Sequence, residues 1–72
     1  MNILQYVERL IRKVAPNALC NDCIADELSL SVPQQAYDKT KELGWQVAFD
    51  QGIHSCMRCG ATKLVTRYAP DP

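Results

Sequence analysis

The chain has 72 residues, enough for one small domain. Hydrophobic residues make up 47% and charged residues 22%, which argues against wholesale disorder; eight basic residues balance eight acidic ones, which excludes a protein that coats nucleic acid by charge alone. A chain this short hides only about 60% of the surface it exposes when unfolded, so a staple is expected. No apolar run approaches the roughly 18 residues of a membrane helix. Glu8, Arg9, Arg12 and Lys13 interrupt the stretch where a secretory signal needs unbroken apolar sequence. No membrane partner is therefore expected, and the cytoplasm is the expected compartment.

Residues 2–15 read as an amphipathic helix. Ile3, Val7, Leu10 and Val14, with Leu4 and Ile11, recur at helical steps. Asn2 and Gln5 form a capping-box pair, and Pro16 stops the helix. Residues 16–22 read as a linker. Asp22 is the expected cap of a second helix over residues 23–30, with Ile24, Ala25 and Leu28 on one face. Ser31 is the expected cap of a third helix, which starts at Pro33 and ends near Leu43 with Gly44 as its C′ residue. Its inward face is Ala36, Thr40 and Leu43. Trp45, Val47 and Phe49 alternate with polar or small residues as a first strand, residues 50–52 read as a turn, and residues 63–68 read as a second strand. Residues 1–68 thus form the expected domain, and 69–72 a disordered tail.

The four cysteines carry the chemistry. Cys20 and Cys23 form one Cys-x-x-Cys pair, Cys56 and Cys59 a second, and Gly60 follows the second pair. Two residues between cysteines let both sulfurs of a tight turn face one ion, and two such turns supply a tetrahedral set of four thiolates. Thiolate softness favours zinc over magnesium or calcium. A structural zinc site of Cys20, Cys23, Cys56 and Cys59 is the leading reading. A thioredoxin-like redox motif, disulfides in an exported domain and an iron–sulfur centre remain as alternatives. His54 is a weaker candidate ligand, two residues before Cys56. Four protein ligands leave no open position for a catalytic zinc, and no nucleophile–base or paired-carboxylate pattern stands out, so no enzyme activity and no small-molecule substrate are expected.

Ile24, Ala25, Leu28, Ser29, Leu30 and Ser31, leading into a helix that ends in Leu43-Gly44, resemble the helix-turn-helix of bacterial and archaeal winged-helix DNA-binding domains. The resemblance covers about residues 3–68. It implies an α+β winged helix-turn-helix, three helices followed by a hairpin wing, with the cysteine pairs marking a zinc-stapled variant of the kind found in small bacterial proteins. It implies a transcriptional regulator that binds double-stranded DNA with its third helix in the major groove, acting as a homodimer on paired half-sites. On that reading Gln34 and Gln35 reach base edges, Tyr37 and Lys41 touch the backbone, and Arg58, Lys63 and Arg67 contact phosphate. Four thiolates around one Zn²⁺ add two negative charges to a neutral chain, so charge-driven affinity is expected to be modest. The main alternative is a protein-interaction module on the same fold, marked by an exposed apolar patch drawn from Tyr6, Tyr37 or Met57, and a zinc-ribbon-like RNA or ribosome-associated role is a further one.

Overall fold

The computed structural model describes residues 2–70. Helix α1 spans Ile3–Lys13. Its capping box forms as the sequence predicts: the Gln5 N–H donates to Asn2 Oδ1 and the Asn2 N–H to Gln5 Oε1, both at 2.9 Å. Val7 and Ile11 are fully buried, flanked by Ile3, Leu4, Leu10 and Val14. The Ala15–Pro16 bond is cis, and the chain turns there into strand β1, Ala18–Cys20. The sequence alone reads these three residues as linker.

Helix α2 is Asn21–Glu27. Its cap is Cys20, whose sulfur accepts the Cys23 N–H at 3.4 Å; the expected cap, Asp22, instead lies in the first turn. The helix stops three residues earlier than predicted. Ser29 takes a left-handed conformation (φ 56°), the Leu30 N–H returns to the Ala25 carbonyl at 2.8 Å, and the Ser29 N–H bonds the Asp26 carbonyl at 3.2 Å. This is a Schellman ending built on serine rather than glycine.

Helix α3 is Pro33–Leu43, capped in backbone terms by Val32, with no side-chain cap bond. Ser31 does not cap; its N–H donates to Gln35 Oε1 at 3.2 Å. Ala36, Thr40 and Leu43 are buried, the inward face expected from the sequence. Gly44 stays right-handed (φ −61°), so the chain leaves α3 through a further turn rather than a left-handed stop. Trp45 and Val47, read from the sequence as part of the first strand, are 80% and 102% exposed on that turn.

Strand β2 begins only at Phe49 and runs to Ser55; β3 is Thr62–Tyr68. Residues 50–52, read from sequence as a turn, lie inside β2, where Gly52 stands opposite Val65. The strands form one antiparallel sheet in the order β1-β3-β2. The sheet and helices close on a core that includes Val7, Ile11, Leu19, Ile24, Leu43, Phe49 and Val65. One polar chain threads it. Thr40 Oγ1 donates to Asn21 Oδ1 (2.8 Å), and Gln51 Nε2 reaches both Thr40 Oγ1 and Thr66 Oγ1 (3.2 Å each). Buried hydroxyls need such partners, and these fix α2, α3 and the hairpin relative to one another. The Ala69 N–H bonds the Ala48 carbonyl at 2.7 Å; of the predicted tail, Asp71 and Pro72 lie outside the described residues.

Among the described residues no helix is long and apolar enough to cross a membrane.

Candidate metal centre

Each cysteine is placed by a different local device. Cys20 ends β1 and caps α2, Cys23 sits in the first turn of α2, Cys56 follows β2, and Cys59 lies in the turn that joins β2 to β3. That turn is fixed by three backbone bonds of 2.9 Å: Cys56 N–H to Ala61, Gly60 N–H to Cys56, and Met57 N–H to Ala18 of β1. Gly60 adopts φ +77°, a left-handed conformation that a residue with a Cβ resists, which accounts for glycine after the second pair.

The four sulfurs lie within 4.8 Å of one another, and no disulfide joins them. The short separations cross between the two pairs, Cys20 to Cys59 at 3.9 Å and Cys23 to Cys56 at 3.6 Å. An ion bonded tetrahedrally to four sulfurs at about 2.3 Å sets their separations at about 3.8 Å. The two observed distances bracket that value. The cluster can hold one metal ion, joining the helical half of the chain to the hairpin turn.

The sulfurs differ in environment. Burial alone would raise the Cys56 thiol, but backbone N–H groups of Cys59, Cys20 and Arg58 face it and outweigh burial, holding it at about 6. Burial, followed by the neighbouring sulfurs, pushes Cys23 up to about 12. Burial also raises Cys20, despite the Cys23 N–H it accepts. Cys20, Cys23 and Cys56 are buried, whereas Cys59 is exposed. His54, weighed as a substitute ligand, is elsewhere: its ring lies over Gly52 and lines a depression with Pro16, Asn17 and Arg67.

The hairpin's cations are all paired with carboxylates, a feature invisible in the sequence. Arg58 bonds Asp26 at 2.7 Å, lies 3.6 Å from Glu27 and donates to the Cys23 carbonyl at 3.4 Å. Lys63 bonds Asp22, and Arg67 bonds Asp50 at 3.1 Å across the hairpin. The hydrogen bond to Asp26 raises Arg58, and that to Asp22 raises Lys63. The partners lie 17 to 41 positions away, too far for charge patterning to reveal them.

The structure gathers part of the predicted DNA-contact set. Gln34, Tyr37 and Lys63 line one shallow depression of about 210 Å³, with Pro33, Asn21 and Leu64. The Lys41 ammonium stands 5.6 Å from the centre of the Tyr37 ring. Gln34 Nε2 bonds Asp38 at 2.9 Å, and Gln35 is tied to Ser31. Arg58 lies apart, in a depression with Leu10, Lys13 and Met57. Arg67 lies on the sheet face away from α3, since its neighbour Thr66 is the residue that meets the Thr40 network.

No family model, no curated protein and no solved structure matches the chain.

Proposed function

We propose that this chain is a zinc-stapled winged helix-turn-helix domain that binds double-stranded DNA through α3. The observation that carries the reading is the shared depression: the first turns of α3, bearing Gln34 and Tyr37, adjoin Lys63 and Leu64 at the start of β3. A winged helix needs its second and third helices in sequence, its third helix open to solvent, and a hairpin beside it. The order α2, α3, β2, β3 supplies these, with Ala36, Thr40 and Leu43 turned inward, Gln34 and Lys41 exposed and Gln35 half-buried. Zinc is the ion that suits the donor set. Four thiolates at this spacing leave room for one ion and none for a cluster of irons and sulfides, and zinc's lack of redox chemistry suits a structural role.

Because Arg58, Lys63 and Arg67 are neutralised locally, α3 carries the contact through its hydrogen-bonding side chains, with Lys41 as its phosphate partner. Binding therefore has a shallow salt dependence, and two copies on paired half-sites supply the affinity that one weakly charged copy lacks. Selection of sequences from a random duplex pool by the metallated protein, followed by titrations at several salt concentrations, tests this. Gln34→Ala is expected to relax choice at one base pair at a cost of about 1–3 kcal/mol. Lys41→Ala is expected to lower the salt slope by about one, and Arg67→Ala, on the other face of the sheet, to change neither. A pool that shows no enrichment would sink the reading.

A second reading is favoured by one observation. Trp45 and Val47 stand in solvent on a turn held by backbone hydrogen bonds from Trp45 to Glu42 and Gln46 to Leu43. Large apolar side chains fixed in water suit a protein-interaction module. That reading predicts no DNA selection and a blue-shifted Trp45 emission on partner binding.

A further inference from the structure

We propose that Cys59 is an oxidation site: its thiolate is oxidised by hydrogen peroxide or a related small peroxide, Cys20 resolves the product as a disulfide, and the ion is released. The inference rests on the zinc reading above. Its geometric basis is the inequality of the four sulfurs. Cys59 is exposed and sits in a turn whose neighbours Met57, Arg58, Gly60 and Ala61 are also exposed. Cys20, Cys23 and Cys56 are buried. Backbone N–H groups lie against the sulfurs of Cys20 and Cys56, and such bonds draw charge from a thiolate and blunt its attack. The neighbours of the Cys59 sulfur are other sulfurs, that of Cys20 at 3.9 Å among them. The most accessible sulfur is thus also the least restrained, and a second thiolate waits beside it.

The chemistry closes without a further reagent. The Cys59 thiolate attacks one oxygen of the peroxide; an S–O bond forms, the O–O bond breaks, and hydroxide leaves. Sulfur is oxidised to a sulfenic acid and the peroxide is reduced. The Cys20 thiolate then attacks the sulfenic sulfur, forming the S–S bond and expelling a second hydroxide. One peroxide is consumed per disulfide. The sulfurs need only close from 3.9 Å to about 2.05 Å. Two thiolates remain, Cys23 and Cys56, half of a four-ligand site, and zinc leaves.

The test uses the full chain as purified with its metal. Metal analysis first establishes the zinc content. Hydrogen peroxide is then added while a chromogenic chelator reports released zinc, and the disulfides are mapped by mass spectrometry after the remaining thiols are alkylated. The expected result is zinc release in step with peroxide consumed and a Cys20–Cys59 disulfide as the first product. Cys59→His, which keeps a fourth donor, should release zinc about tenfold more slowly. Retention of zinc in excess peroxide, a first disulfide between Cys23 and Cys56, or release from Cys59→His at the unaltered rate would each overturn the proposal while leaving the zinc reading intact. Protein that carries no metal would overturn both. If Cys59→His fails to take up zinc, the disulfide map of the unaltered chain decides by itself.

Discussion

At the open end of the β2–β3 hairpin, Phe49 and Tyr68 stand opposite each other with ring centroids 5.1 Å apart. The Arg12 guanidinium of α1 lies 4.7 Å from the Tyr68 ring centre, and Phe49 is buried against the core. At the turn end, residues 57–62 are all exposed, and Cys56 is the one buried side chain. What joins that end to α2 is a sulfur cluster and three ion pairs with exposed side chains, together with the Arg58 bond to the Cys23 carbonyl. One end is thus held by apolar burial, which needs nothing but the chain. The other has almost no apolar area to bury, and what gathers there is a sulfur cluster that can hold an ion. The difference teaches that the two ends of one hairpin are held by different means, so each has its own substitution that tests it.

The largest effect is expected from removing the metal. A strong chelator, or Cys56→Ser, should free the turn from α2 and abolish the cooperative thermal transition. Structural zinc supplies on the order of 10–16 kcal/mol of apparent binding free energy in small peptides, far above the margin a core of this size leaves. Circular dichroism with and without chelator checks this. A sharp transition that survives chelation would mean the open end holds the fold unaided. Next in size is Phe49→Ala at that open end, where loss of a buried aromatic ring should cost about 3–5 kcal/mol. Denaturant midpoints should fall while the folded protein still binds one equivalent of metal. Loss of metal binding in this variant would show that the two ends fold as one unit.

The sequence made these two ends unequally legible. Cys20, Cys23, Cys56 and Cys59 could be assembled from spacing alone, because the geometry of a metal turn is written in local intervals. The inward faces of α1 and α3 followed from helical periodicity, and Val7, Ile11, Ala36, Thr40 and Leu43 are indeed buried. The open end was harder. Alternation from Trp45 suggested a strand four residues too early, since a turn can alternate apolar and polar residues without pairing to anything. Gly52 looked like a turn because nothing local reveals that His54 folds over it inside a strand. β1 escaped notice because three residues after a proline carry no period; its pairing with Val65, Thr66 and Arg67 exists only in the folded chain. The acidic partners of Arg58, Lys63 and Arg67 were hidden for the same reason, and with them the local neutrality of the hairpin.

A smaller effect should come from Gly60→Ala, which acts on the turn end through the backbone. Nothing lies within 4 Å of the position a Cβ would take, so crowding plays no part and only the left-handed φ of +77° is penalised. That costs about 1–2 kcal/mol, or roughly five- to thirtyfold in an equilibrium constant. On the proposal that an ion holds the turn, the loss should appear as weaker metal affinity in a chelator competition. Unchanged affinity would mean that the turn is formed independently of the ion.

The smallest effect is expected from Arg58→Ala, and it decides what the ion pairs contribute to the turn end. Arg58 makes three contacts with α2, to Asp26, Glu27 and the Cys23 carbonyl, and on a drawing it looks like a second rivet beside the metal. Yet its side chain is 43% exposed, and those of Asp26 and Glu27 are 71% and 50% exposed, so water and salt screen the pairs and most of the attraction is lost to hydration and side-chain entropy. With the ion in place, the substitution should move the melting temperature by no more than about 3 °C and leave the metal content at one equivalent. With the ion removed, restoring Arg58 should not restore the turn. A double-mutant cycle with Asp26→Ala, run at low and high salt, gives the pair's own contribution free of other losses. A large coupling that persists at high salt would make the ion pair, rather than the sulfur cluster, the tie between hairpin and helix, and the contrast between the two ends would then be one of charge against apolar burial.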